Sequence, residues 1–357
     1  MTSIVKANTT AKHSNRTRKI IWAFVSFGAL LLALTYPSFQ SRASVRRQMD
    51  DDMDMRWFFR PIGMVGATID DGFVVNPLAD KAYTSIDYPN AVLTSAFGIN
   101  KSGKIVGFYQ DANQKLHGFL YNPETSSFAS IDYPNPACTT GTDARGINKR
   151  GDITGTCTDS ANNFYGYLLT DEGFSPVQAP GHLSTIAQSI SPDGKIVGCI
   201  HDTNTGSTMF GMSRDSGAFT FFGGKFGGLD GMGFMNNGVT KGGKRFAGLF
   251  MDMSVNRIRA YTVRRGVATV FDYPDAAFTQ AWNVNTQGDV VGVYRDSGGR
   301  VHGYLRSDDG EFTSIDFPGA TLTRAFGIND SGDIVGTYVA SGIQHAFVRN
   351  VKRHANQ

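Results

Sequence analysis

Carboxylates recur along this chain at two fixed positions of a repeated unit, and this pattern has the most chemical content. Asp111, Asp159, Asp202, Asp252 and Asp296 share one position. Asp87, Asp132, Asp272 and Asp316 share the other, and each is followed by a ring: Tyr88, Tyr133, Tyr273 or Phe317. A carboxylate accepts hydrogen bonds from hydroxyls and is a hard oxygen donor for cations, so carboxylates beside aromatic rings suit a sugar or a cation. Asp also caps tight turns by accepting nearby backbone N–H groups. Recurrence in nearly every unit favours turn capping, because a single ligand would not need every copy.

The other residue types with chemical potential are weaker. His117, His302 and His345 occupy a third repeated position, where other units have Tyr165, Phe210 and Arg259. A metal or general-base role would not tolerate those replacements; a packing or hydrogen-bonding role between units would. Arg150-Gly151-Asp152 spells an adhesion tripeptide but aligns with Ser102-Gly103-Lys104 and Ser331-Gly332-Asp333, which is turn chemistry. Asp296-Ser297-Gly298-Gly299 resembles the surroundings of a serine nucleophile but falls in an expected hairpin loop. The run Gly223-Gly224-Lys225-Phe226-Gly227-Gly228 lacks the ending and following helix of a phosphate loop. No Cys/His set has metal spacing, and no cofactor is implied.

The elements that must position these residues follow from the repeat. A tract of about 45 residues recurs six times between Ala82 and Arg349, a period that signals a solenoid, propeller or array. In the first unit, four short β segments are expected at Ala82–Tyr88, Ser95–Asn100, Lys104–Gln110 and Lys115–Tyr121, separated by Asn-, Gly-, Asp- and Pro-rich turns. Four antiparallel strands per unit is the measure of one propeller blade. The expected fold is therefore all-β, a β-propeller of six blades. Seven is the alternative if the segments at 63–69 and 72–76 add a partial unit. The tract starts with an outer-type strand and ends without one, so the first strand can complete the last blade and remove two edges. In such blades both Asp sets fall on one face of the disc.

The repeated Ala-Phe-Gly-Ile-Asn, Gly-Asp-Ile-Val-Gly (Gly332 to Gly336) and His-Ala-Phe (His345 to Phe347) resemble the bacterial HAF repeat. The resemblance covers about three quarters of the chain. Met209-Phe210-Gly211 and Arg259-Ala260-Tyr261 depart from it. It implies export and a repeat fold, and no established reaction.

Composition agrees. The acids are 28 Asp and only 3 Glu, beside 42 Gly, which favours turns over helix interiors. Residues 1–43 hold six basic residues and no acid, leaving 28 basic against 31 acidic residues in the remainder. That body has no electrostatic footprint for nucleic acid. The basic leader, the apolar stretch 20–36 and Ser41-Arg42-Ala43 have the build of a signal peptide cleaved after Ala43, or of an uncleaved membrane anchor. Either way the body is exported. Residues 44–60 read as a tether, 61–350 as one repeat domain and 351–357 as a tail.

Of three cysteines, two mark departures from the repeat. Cys138 lies in a three-residue insertion, and Cys157 stands where the first unit has Tyr109. These paired changes point to a Cys138–Cys157 disulfide, which export permits, with two unlinked thiols as the alternative. Cys199 aligns with Phe108 and is expected to be a buried thiol. The function expected is binding or scaffolding through the acidic, aromatic-rimmed face, toward a glycan or a protein. A polysaccharide hydrolase or lyase with a carboxylate pair at the central channel is the first alternative, and a purely structural surface protein the second.

Overall fold

The computed structural model describes residues 82–201, 209–226 and 228–350. The leader and tether, the segments at 63–69 and 72–76, Asp202 and the 351–357 tail lie outside them. Among the described residues the chain is an all-β propeller with no α-helix.

β1 (Tyr83–Ser85) is followed by β2 (Leu93–Ile99), β3 (Ile105–Gln110), β4 (Leu116–Asn122) and β5 (Ser127–Ile131). The second unit is β6 (Gly141–Ile147), β7 (Ile153–Thr158), β8 (Phe164–Thr170) and β9 (Gly173–Val177). The third is β10 (Thr185–Ile190), β11 (Ile196–His201), β12 (Met209–Asp215) and β13 (Ala218–Phe222). The fourth is β14 (Gly224–Phe226), β15 (Leu229–Val239), β16 (Arg245–Asp252), β17 (Arg257–Arg264) and β18 (Val267–Phe271). The fifth is β19 (Phe278–Val284), β20 (Val290–Arg295), β21 (Val301–Arg306) and β22 (Phe312–Ile315). Last come β23 (Leu322–Ile328), β24 (Ile334–Ala340) and β25 (Ile343–Arg349).

Within each unit consecutive strands pair antiparallel. One parallel contact, Leu116 with Gly141, joins the first and second units into an eight-stranded sheet. The chain end is completed from its beginning. β1 pairs with β25 in the register Tyr83↔Arg349 and Ser85↔Phe347, and Asn350 N donates to Ala82 O at 2.9 Å. β1 is shorter than the expected Ala82–Tyr88, because Pro89 has no N–H to continue a ladder and Tyr88 N instead donates to Thr94 Oγ1 at 3.1 Å. Within the Gly-rich run of the fourth unit Gly224–Phe226 form β14, which pairs with β15 and adds a fifth strand to that sheet.

Burial explains the sequence of a unit. Strands β2, β6, β10 and β23 are buried along their whole length, whereas outer strands such as β5 and β18 expose alternate residues. The hydrophobic cores lie between successive sheets. Ala96, Ile99 and Phe119 of the first unit pack with Val335 and Ala346 of the last. In five of the six units the glycine opposite the inner strand admits the large ring of the third strand; in the third unit Gly198 faces Met212 instead. A Cβ on Gly107 would stand 1.9 Å from Ser95 O and 2.9 Å from Phe119. The first hairpin of the unit is held by its Asn: Asn329 Oδ1 accepts from Ser331 N and Asp333 N, and Asn329 Nδ2 donates to Asn100 O at 3.1 Å. Asn100 Nδ2 in turn donates to Asn148 O at 3.2 Å, so neighbouring units are tied by the same residue that shapes the turn.

Candidate binding face

The hairpin between the second and third strands, and the end of the outer strand, lie at the same edge of each sheet. Gly118 is opposite Ile131, so the next residues along, His117 and Asp132, are cross-strand neighbours. His117 Nδ1 is 2.7 Å from Asp132 Oδ1, and its Nε2 is 3.5 Å from Asp111 Oδ2. In the fifth unit His302 Nδ1 is 2.7 Å from Asp316 Oδ1 and Nε2 is 3.2 Å from Asp296 Oδ2. In the fourth, Arg259 reaches Asp272 at 2.7 Å and Asp252 at 3.1 Å. The third repeated position therefore bridges the other two. These bonds lie within one sheet, not between units as expected, because the partners sit on adjacent strands of the same hairpin array.

His117, His302 and His345 each end a stack of three rings. Tyr88 stacks on Tyr109 with centroids 3.6 Å apart, and Tyr109 on His117 at 5.1 Å. Tyr273, Tyr294 and His302 repeat this at 3.6 and 4.9 Å, and Phe317, Tyr338 and His345 at 3.6 and 5.0 Å. The first ring of each stack is fixed through its backbone: Tyr88, Tyr133, Tyr273 and Phe317 each donate N–H to Thr94, Thr142, Thr279 and Thr323 respectively, at 2.9–3.1 Å.

Units that depart from the pattern depart at several positions together. In the last unit His345 meets Asp87 at 3.0 Å, and Ala340 stands where a second Asp would be. In the second, Tyr165 donates to Asp159 at 3.0 Å, and Gln178 replaces the outer carboxylate. In the third, Phe210 replaces His and Gly223 replaces the outer Asp. A Cβ on Gly223 would stand 2.0 Å from Phe210 Cδ1, so the phenyl ring occupies the place of that side chain. Cys157 takes the place of the middle ring in the second unit and is joined to Cys138, Cα atoms 5.4 Å apart. Cys199 is buried and free, and burial pushes its thiol up to about 12.

Much of the carboxylate capacity is used locally. Asp111 Oδ1 accepts from Lys115 N at 2.8 Å and Asn113 N at 2.9 Å, and the Lys115 bond leads in holding its carboxyl below the usual range. Burial pulls Asp296 upward, but Arg300 N and His302 lower it further. Asp159 and Asp252 are lowered in the same way against desolvation, by Asn163 and Ser254 foremost. The outer carboxylates are partly open: the side chains of Asp132, Asp87 and Asp316 are 48%, 40% and 34% exposed, beside 30% for Asp111 and 40% for Asp296. The stacking partners Tyr109, Tyr294 and Tyr338 belong to this site and escaped the sequence reading. Their signal was a Tyr two residues before the Asp111 position.

Around the ring axis the inner strands interlock through the residue after each buried Ala or Asn. Arg145 lies over Phe97 at 5.2 Å and donates to Gln188 Oε1 at 2.8 Å. Asn237 donates to Ala281 O at 2.9 Å, Trp282 packs on Phe326 at 4.8 Å, and Phe326 on Phe97 at 5.0 Å. This plug is buried, and its one carboxylate, Asp143, is paired with Arg145 through two bonds of 2.8 Å. Burial pushes that carboxyl up while Arg145 opposes the shift. A carboxylate pair for acid–base work is not found in the plug. Among the described residues no group of three or more His, Cys, Asp or Glu could hold a metal ion.

No protein-family model matches the chain, and no curated protein is similar to it. The chain is similar in fold to a lectin of Aleuria aurantia solved with Fucα1-6GlcNAc, at a TM-score of 0.47 and 12% identity over 76% of this chain and 95% of the lectin. It is also similar to TolB from Acinetobacter baumannii, at 0.48 and 11% over 70% and 64%, and to a protein of unknown function from Dyadobacter fermentans, at 0.47 and 12% over 75% and 98%. At these identities the likeness is one of fold.

Proposed function

We propose that this chain is an exported, six-bladed HAF-type repeat protein that binds a glycan through the face bearing the His–Asp bridges. The carrying observation is the pair Asp132 and Asp316, partly exposed carboxylates each held by one bond to a histidine backed by stacked rings. The histidine takes one oxygen and a serine hydroxyl the other, Ser130 Oγ at 3.3 Å on Asp132 and Ser314 Oγ at 2.7 Å on Asp316, and the remaining lone pairs are open to sugar hydroxyls. The polysaccharide-acting enzyme is less well supported, since the axial plug offers Asp143 alone and already paired. Asp202, the 20–36 segment and the family resemblance belong to this proposal and not to its support.

A glycan array probed with the protein and with an Asp132→Asn/Asp316→Asn variant tests it. The expected result is binding to defined glycans that the variant loses while its thermal midpoint stays within a few degrees. Binding that the variant retains in full, or no glycan bound at all, removes this reading. A protein partner on the same face is the second reading, favoured by Val92, Met253 and Val255 in turns of that edge and Ile343 at the start of β25, all 44–50% exposed.

A further inference from the structure

The fourth unit breaks the repeat on the opposite face. At the start of the second strand, three units have an Asp (Asp152, Asp289, Asp333) that bonds back to the hairpin or its Asn. The fourth has Arg245 there, after a turn one residue longer, 240–245, that also carries Lys241 and Lys244. The next hairpin of the same sheet adds Arg264 and Arg265. Arg245 and Asp252 are opposite ends of β16, about 23 Å apart at the usual strand rise, so this surface is remote from the His–Asp bridges.

Between the fourth and fifth sheets Arg245 and Arg264 line a cleft of about 180 Å³, with Arg306 and Asp308 on the facing wall. Three guanidiniums meet one carboxylate. Arg245 reaches Asp308 at 2.6 Å, Arg264 only at 4.0 Å, and Arg306 has no ion pair within 4.0 Å among the described residues. Arg306 lies over Phe271 and Phe312 at 4.7 and 5.8 Å, and its buried Nε has no hydrogen-bond partner. The aromatic rings fix the guanidinium, and among the described residues its one hydrogen bond is long, from Nη1 to Ser307 O at 3.4 Å. Thr262 and Thr269 add hydroxyls to the lining, and Val263 and Val284 add an apolar floor.

We propose that this cleft binds the oxyanion of an acidic sugar. Planar guanidiniums match a carboxylate or sulfate through paired N–H bonds, the threonines match ring hydroxyls, and the cleft's net positive charge selects against neutral sugars. The shared chemistry is the sugar oxyanion, and its two sources are a uronic acid and a sulfate ester.

Isothermal titration with galacturonate, glucose 6-sulfate and glucose tests this on the wild type and on Arg264→Gln, Arg306→Gln and their double variant. Galacturonate or glucose 6-sulfate should bind, more weakly as salt is raised, and glucose should not. Each single variant should weaken binding by about tenfold. Whichever anion binds identifies the source. Because the Arg264 side chain is 61% exposed, Arg264→Gln decides the matter if Arg306→Gln fails to fold. The Asp132→Asn/Asp316→Asn variant should bind the anion as the wild type does, whatever its effect on neutral glycans. Binding of neither anion, binding of glucose as strongly, or anion binding unchanged by Arg264→Gln overturns the proposal.

Discussion

Removing the Cys138–Cys157 bridge tests how the second unit holds together without its ring stack. The bridge joins residues 19 apart in sequence. In the chain-entropy relation, a loop of that length costs the unfolded state about 11 cal/mol/K, or about 3 kcal/mol at 25 °C. Other units use instead two ring contacts, Tyr88–Tyr109 and Tyr109–His117. At about 0.5–1.5 kcal/mol for each aromatic pair these amount to roughly 1–3 kcal/mol, so the two devices are of comparable strength. Cys138→Ala, Cys157→Ala and the double variant should each lose about 3 kcal/mol, and the single losses should not add. In a domain of this size that lowers the thermal midpoint by about 6–12 °C. The assay is urea unfolding of oxidised and reduced wild type beside the three variants, with intact mass confirming the two-hydrogen difference. If reduced and oxidised wild type unfold at the same denaturant concentration, or if the single losses sum in the double variant, the reasoning fails.

Thr323→Val should cost about 1–3 kcal/mol in urea unfolding, because the Phe317 N–H loses its 2.9 Å acceptor beneath a ring stack; Thr323→Ser should recover most of it, and a valine variant of wild-type stability would show that the bond does not matter. Acid should destabilise the fold through Asp111, Asp159, Asp252 and Asp296. Their folded carboxyls lie below the ordinary value, so the stability they contribute is complete above about pH 4 and is lost as pH falls through the lower folded values. Thermal midpoints between pH 7 and pH 2 should show that loss blunted in Asp111→Asn/Asp296→Asn, and an unchanged acid profile in that variant would contradict the assignment.

The sequence carried the strands well because each unit states them several times. A turn that is ambiguous once, such as Asn122-Pro123-Glu124, becomes clear when other units place Gly173 or Gly310 beside the same position. The site was less legible. Spacing placed Asp111 and Asp132 on one face, but not on one histidine, since the link depends on a strand pairing 15 residues across the hairpin. Tyr109, Tyr294 and Tyr338 read as blade packing because a buried tyrosine and a stacked one look alike in sequence. The replacement of an Asp-bearing element by Gly223 read as degeneracy. Its cause is the Phe210 ring, which only the folded register brings against that Cα.

The interchange of residues at the bridging position shows what the fold requires there. His302 between Asp296 and Asp316, Arg259 between Asp252 and Asp272, and Tyr165 on Asp159 share only a donor directed at a carboxylate. A neutral imidazole donates to one of its two carboxylates, an imidazolium to both, a guanidinium to both at any working pH, and a phenol to one. In these units the position is a cross-link whose strength varies, and the third unit, with Phe210 against Gly223, does without it. The Arg259 unit neutralises its carboxylates most completely, and Arg257 adds a further bond to Asp272 at 2.7 Å. The histidine units leave more acceptor capacity exposed, at Asp132, Asp87 and Asp316. The two properties separate along the ring: the fourth unit closes its acidic edge with Arg257 and Arg259 and opens a basic cleft at the other end of the same sheet with Arg245 and Arg264. A ligand that reads carboxylates should therefore prefer the first, fifth and last units, and one that reads guanidiniums the junction of the fourth and fifth.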